Sequence, residues 1–190
     1  MRTHLLLLVP VLVLSACSAG SSSEPQAGDR PVPTDAVCAG LDVDALGAAL
    51  DGADLRVASD VTTGEIGASG MAVAAPQCSL RGGGRTLDLS VFPVEASGDL
   101  RADVEDGLRA SEDQGLQTCG DLADLAGYGA RDAVEYDCDL PSVQLSATTV
   151  VVRMAPSWRV SCSLSGGGLD RDASRAGLER ACGVLVDSLS

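Results

Sequence analysis

Lysine is missing from this 190-residue chain, and so is asparagine. All 13 basic residues are arginine, Ile66 is the sole isoleucine, and the one histidine, His4, stands near the amino terminus. Aromatic residues are scarce: Phe92, Tyr128, Tyr136 and Trp158 make up 2% of the sequence. Each shortage removes a class of chemistry. Without lysine there is no Ser-Lys dyad, and neither GGG run can belong to a lysine-bearing phosphate loop. A Ser-His-Asp or Cys-His arrangement has only His4 to draw on. With no C-x-x-C pair and a single histidine, a zinc site has no ligand set, and no metal or other cofactor is expected.

Long apolar runs are lacking as well. The longest, residues 5–14, has ten members and is interrupted by Pro10. A bilayer core takes roughly 20 helical residues, so this run is too short to span one. It follows a single positive charge, Arg2, and precedes small residues, which is the pattern of a secretory signal peptide. The run closes on Leu14-Ser15-Ala16-Cys17, which resembles the bacterial lipobox: Leu, two small residues, then Cys. The resemblance implies that the Cys17 thiol is alkylated with diacylglycerol and that a lipoprotein signal peptidase cuts after Ala16. Further acylation of the new amino terminus, with a chain such as palmitate, would follow. One acyl chain binds membranes marginally and two or more hold firmly, so the expected address is the extracytoplasmic face of the cell membrane, lipid-anchored.

Cutting there discards residues 1–16, and with them Arg2 and His4. Twelve of the 13 basic residues then face 27 acids, a formal charge of −15. Nucleic acid is excluded as a partner, since phosphate contacts need clustered positive charge. Residues 17–34 carry Ser, Gly, Pro and Ala and no large apolar side chain except Val32, so they cannot bury a core. They read as a lipidated cysteine and a tether; the seventeen residues after Cys17 reach roughly 20–25 Å root-mean-square. Residues 35–190 then form one extracytoplasmic domain.

Setting Cys17 aside leaves six cysteines, Cys38, Cys78, Cys119, Cys138, Cys162 and Cys182, an even number in an exported chain and hence three disulfides. Six cysteines allow 15 pairings. Nearest-neighbour pairing, 38–78, 119–138 and 162–182, is the expectation. In RDASRAGLERACGVLVDSL, residues Leu178, Cys182, Leu185 and Leu189 fall on one helical face, which turns Cys182 inward toward the strand bearing Cys162.

Three helices are expected. VDALGAAL puts Val43, Leu46 and Leu50 on one face and stops at Asp51-Gly52. Residues 97–107 lead into Leu100, Val104 and Leu108 at i, i+4 and i+8, with Ser97 or Asp99 as cap. The cysteine-bearing closing segment is the third. Between them, alternation marks strands in RTLDLSVFPV, AVEYDC and SWRVSCSLS, while Val143, Leu145 and Ala147 lead into TTVVV. Helix, strands, helix, strands, helix predicts an α+β domain: a mostly antiparallel sheet packed with about three helices and stapled by disulfides. CSLRGGG at Cys78 recurs as CSLSGGG at Cys162, which reads either as a duplicated half or as coincidence in a chain with 22 glycines.

These features together resemble an actinobacterial lipoprotein family known only as a domain of unknown function. The resemblance rests on the cysteine before the first helix (AVCAGLDVDALGAAL), the second cysteine on an early strand (QCSLRGGG), the Gly127-Tyr128-Gly129-Ala130 turn and the cysteine of RACGVLVDSL. The layout is more distantly similar to extracellular sensor domains of actinobacterial receptor kinases. The residue bias agrees, since arginine without lysine is expected of a genome rich in G and C. The family implies no catalytic residues.

What remains for catalysis is a glycosidase-type carboxylate pair, and Asp103 with Asp106, Asp121 with Asp124 and Glu135 with Asp137 are the candidates. Asp42 with Asp44 and Asp170 with Asp172 suggest calcium, but neither continues into an EF-hand loop, and helix capping explains both. The chain therefore reads as a non-catalytic binding or interaction module of the bacterial envelope. Its site would be a groove against the sheet, or a face holding another envelope protein or a small ligand. Tyr128 and Trp158 are the candidate contact residues, with a core role as the competing reading of Trp158. The alternative is a carboxylate-dependent hydrolase of cell-wall glycan.

Overall fold

A computed structural model describes residues 37–62, 75–93 and 98–190. The signal segment, Cys17, the tether and Ser97 lie outside the described residues.

Each α-helix described starts on an aspartate whose carboxylate accepts a hydrogen bond from an otherwise orphaned amide of the first turn. Asp42 takes the Ala45 amide at 2.9 Å and opens α1 (Val43–Ala49). Asp99, not Ser97, caps α2 (Leu100–Asp113), accepting from Arg101 at 2.8 Å. Asp170 accepts from Ala173 at 3.1 Å and opens α3 (Arg171–Ser188). The expected α2 is thus extended beyond Gly107, a glycine whose missing side chain faces open space. A mid-helix glycine costs about 1 kcal/mol, which the buried row Leu100, Val104 and Leu108 offsets.

Eight strands form one sheet: β1 (Arg56–Val61), β2 (Gln77–Gly82), β3 (Arg85–Pro93), β4 (Thr118–Cys119), β5 (Ala123–Asp124), β6 (Ala133–Leu140), β7 (Leu145–Ala155) and β8 (Trp158–Gly166). Every pairing is antiparallel, in the order β1-β2-β3-β8-β7-β6-β4, with β5 also against β6. Two meanders therefore meet in the middle of the sheet, where β8 docks on β3. Gly83 and Gly84, both at positive φ, form the two-residue turn of the β2–β3 hairpin, whose twist suits such a turn. Val143, expected to start a strand, sits instead in the β6–β7 turn and is 56% exposed. That turn needs a left-handed residue, supplied by Gln144, so pairing begins at Leu145 opposite Leu140.

Alternation sorts the sheet into two faces. One carries Cys78, Leu80, Leu87, Leu89, Val91, Val150, Val152, Val160, Cys162 and Leu164, all fully buried. Helices α1 and α3 cover it with Leu46, Leu50, Leu178, Ala181 and Leu185. On the opposite face α2 packs its Leu100, Val104 and Leu108 on Val134, Cys138 and Val151, with Cys119, Leu122 and Tyr136 at the margin.

The three disulfides join Cys38 to Cys78, Cys119 to Cys138 and Cys162 to Cys182, in agreement with nearest-neighbour pairing. The first ties the entry of α1 to β2, and the second links facing residues of β4 and β6. The third bolts α3 to the centre of the sheet. The CSLxGGG echo also has a place in the register. Cys78 and Cys162 flank Leu89 from opposite sides, and Leu80 and Leu164 flank Leu87 in the same way. Both strands face the same core in the same direction, so the same Cys-Ser-Leu alternation suits both. Beyond it they diverge, one into a hairpin and the other into α3.

Candidate functional site

The two aromatic residues expected to offer contact surfaces are part of the core. Trp158 is 2% exposed and lies in phase with Val160 and Cys162 on the face beneath α1 and α3. Tyr128 is 8% exposed, and its hydroxyl donates to the Glu179 carbonyl at 3.0 Å. Burial pushes the Tyr128 phenol far up, with Glu179 and Glu135 adding to the shift. Neither ring is available to a partner. An aromatic-poor chain places its large side chains where the most apolar area must be filled.

The paired carboxylates are occupied. Asp42 and Asp170 cap helices, as described above. Asp106 is held by Arg109 at 2.7 Å and Asp124 by Arg101 at 2.8 Å, all on the surface, while Asp121 is exposed. Glu135 and Asp137 point from β6 toward α3, where one side chain meets both: Arg175 Nε lies 3.1 Å from Glu135 and Nη2 lies 2.9 Å from Asp137. Thr148 donates to Asp137 at 2.6 Å. Burial raises the Glu135 pKa, Arg175 pulls it back, and Glu179 and Asp137 push it further up. This is a structural clamp between sheet and helix. Among the described residues no three His, Cys, Asp or Glu side chains come together as a metal site.

Among the described residues, the other face of the sheet is covered in part. Helix α2 lies over β6 and β7 and reaches β4 and β5. Beside it, β2, β3 and β8 present Ser79, Asp88, Ser90, Ser161 and Ser163, all half-buried, in register with Thr149 and Tyr136. Ser79 donates to Asp88, and Thr149 donates to Ser163 at 3.0 Å. A cleft of about 200 Å³ opens where the covered half meets this hydroxyl-bearing half. Its walls include Phe92, Asp103, Tyr136, Arg159 and Ser161, with Ser111 and Gln117 at the helix side.

Arg159 is the unusual member. Its register neighbours are Phe92 on β3 and Arg153 on β7. Two of its guanidinium nitrogens, Nε and Nη1, are buried and have no hydrogen-bond partner among the described residues. The guanidinium carbon lies 5.9 Å from the centre of the Phe92 ring, within cation–π range. Burial draws the Arg159 pKa down while Asp103 and Tyr136 draw it up, and an arginine keeps its proton throughout. Each buried donor left unpaired costs about 1–3 kcal/mol, more when it is charged. The neighbouring Arg153 is provided for: it donates to the Gly98 carbonyl at 2.8 Å and lies 3.5 Å from Asp103. Asp103 is thereby shared between Arg153 and Arg159.

A larger groove of about 540 Å³ runs along the outer side of α2 against residues 119–122. Its charges are matched: Arg101 with Glu105 at 3.1 Å, and Glu112 accepting from the Cys119 amide at 2.7 Å. Of these two hollows, the smaller is the one that holds an unsatisfied group.

Sequence reasoning missed Arg159. In SWRVSCSL it occupies the outward phase, where an arginine reads as solvated. It lies instead among Phe92, Tyr136 and residues of α2, and no local signal reports such a setting.

No protein-family model matches the chain, and no curated protein matches it at a significant level.

Proposed function

We propose that this protein is a lipid-anchored module of the bacterial envelope that binds rather than catalyses, tethered through Cys17 and presenting the cleft beside α2. Arg159 carries the reading: two buried nitrogens of its guanidinium line the cleft with no hydrogen-bond partner among the described residues, which leaves room for a ligand to complete them. The disulfide framework suits an exported domain. The lipobox at residues 14–17 supplies the address, and the actinobacterial lipoprotein family remains the proposed kinship. A glycan hydrolase draws no support from the three carboxylate pairs, since each has at least one member engaged by arginine and none lines the cleft as a pair. The cleft contains one carboxylate, Asp103.

Fractionation of cells carrying Cys17→Ala tests the anchor. Wild-type protein is expected in the membrane pellet and soluble after detergent. The variant is expected to lose membrane association, appearing as uncleaved precursor or in the soluble extracytoplasmic fraction. A variant distributed like wild type, with the same mature mass, contradicts the anchor.

A further inference from the structure

We infer that the cleft between α2 and β8 binds a small organic monocarboxylate, with Arg159 as its charge partner. This rests on the binding-module reading above and adds the class of ligand.

Charge decides between oxyanions. Arg153, Arg159 and Asp103 are the charged groups at this end of the cleft, and together they carry one net positive charge. Asp103 lies 3.5 Å from Arg153 and also acts on Arg159, so two guanidiniums share one carboxylate and one positive charge is left over. A monoanion neutralises it, whereas a phosphate dianion would leave a negative charge beside the Asp103 carboxylate, in a protein that is acidic overall. Geometry agrees. Nε and Nη1 lie on different sides of the guanidinium and neither has a partner among the described residues, so two separate N–H donors face the cleft for the oxygens of an acid. Ser161, two residues along the same strand and on the same face, lines the cleft as well and offers a neutral hydroxyl.

The rest of the lining sets the body of the ligand. Phe92, Val104, Leu108 and Val151 supply apolar wall, and Tyr136 closes one side. Burial pushes the Tyr136 phenol up, so it stays protonated and uncharged. A cleft of about 200 Å³ is smaller than the sites that take drug-sized molecules. A short aliphatic or single-ring acid fits this description, and a peptide or oligosaccharide does not.

Calorimetric titration of the mature, full-length protein in detergent micelles tests the inference, with benzoate as probe, benzamide as its neutral isostere and inorganic phosphate as the competing oxyanion. Benzoate is expected to bind at least tenfold more tightly than benzamide, about 1.4 kcal/mol at 25 °C, and more tightly than phosphate. Arg159→Gln, which keeps a planar amide and removes the charge, is expected to abolish that preference. Ser161→Ala weakens benzoate severalfold and keeps the arginine in place, so it reports on the cleft even where Arg159→Gln perturbs folding. Equal affinity for benzoate and benzamide, tighter binding of phosphate, or no binding of benzoate up to its solubility limit overturns the assignment. None of these outcomes touches membrane fractionation through Cys17, so failure of the ligand class is distinguishable from failure of the anchored module.

Discussion

Replacing Cys162 and Cys182 together by alanine is expected to cost this domain more stability than loss of the Cys119–Cys138 disulfide. The chain-entropy contribution alone does not single it out. Bridges separated by 20 and 19 residues, as at 162–182 and 119–138, each restrict the unfolded chain by about 3 kcal/mol, and the 38–78 bridge, with a separation of 40, by about 4. Packing makes the difference. Cys162 and Cys182 are both fully buried, between the centre of the sheet and α3, whereas Cys119 lies half-exposed on a two-residue edge strand. Removing two buried sulfurs adds about 1 kcal/mol each, on the scale of a buried methylene. The double variant is therefore expected to lose about 5 kcal/mol, against about 3 for the 119–138 pair. Denaturant unfolding read by circular dichroism checks this, with the midpoint falling in that order. Equal losses for the two pairs would show that α3 is not held through the 162–182 bridge.

Trp158→Ala is the second large effect. The indole is the largest fully buried side chain of the domain, among Val91, Val160 and the inner faces of α1 and α3. Truncating such a residue costs about 3–5 kcal/mol, because the lost transfer energy is joined by a cavity that its neighbours close only in part. Trp158→Phe, which keeps most of the volume, is expected to fold with a smaller loss and to leave benzoate affinity unchanged, since Trp158 faces away from the Arg159 cleft. An alanine variant that unfolds at the wild-type midpoint would return Trp158 to the surface.

Both predictions turn on residues whose position is legible in local sequence pattern. Trp158 stands in phase with Val160, Cys162 and Leu164, and strict alternation over a strand puts all four on the buried face. Cys182 falls on the apolar stripe of α3 together with Leu178 and Leu185. The helix starts are legible for a local reason too, since an aspartate just ahead of an apolar-periodic segment is a cap. Long-range placement is not legible. The docking of β8 between β3 and β7 joins strands about 70 residues apart in the sequence, and no local pattern encodes it. The strands β4 and β5, two residues each, are too short to show a period. β1 is exposed along nearly its whole length as an edge strand, so it lacks the alternation that marks a half-buried one.

The candidate site divides along the same line. That Asp42 and Asp170 serve as helix caps follows from their spacing ahead of apolar periodic segments. That the cleft contains a guanidinium with two nitrogens unpartnered among the described residues does not, because its neighbours there, α2, Tyr136 and Phe92, come from other parts of the sequence.

The mature amino terminus is the most direct test of whether this domain is a lipid-anchored envelope module. Protein extracted with detergent from native membranes, digested and weighed by mass spectrometry, is predicted to begin at Cys17 with a diacylglyceryl group on its sulfur. An amino terminus at any other residue, or a Cys17 bearing a free thiol, would contradict it.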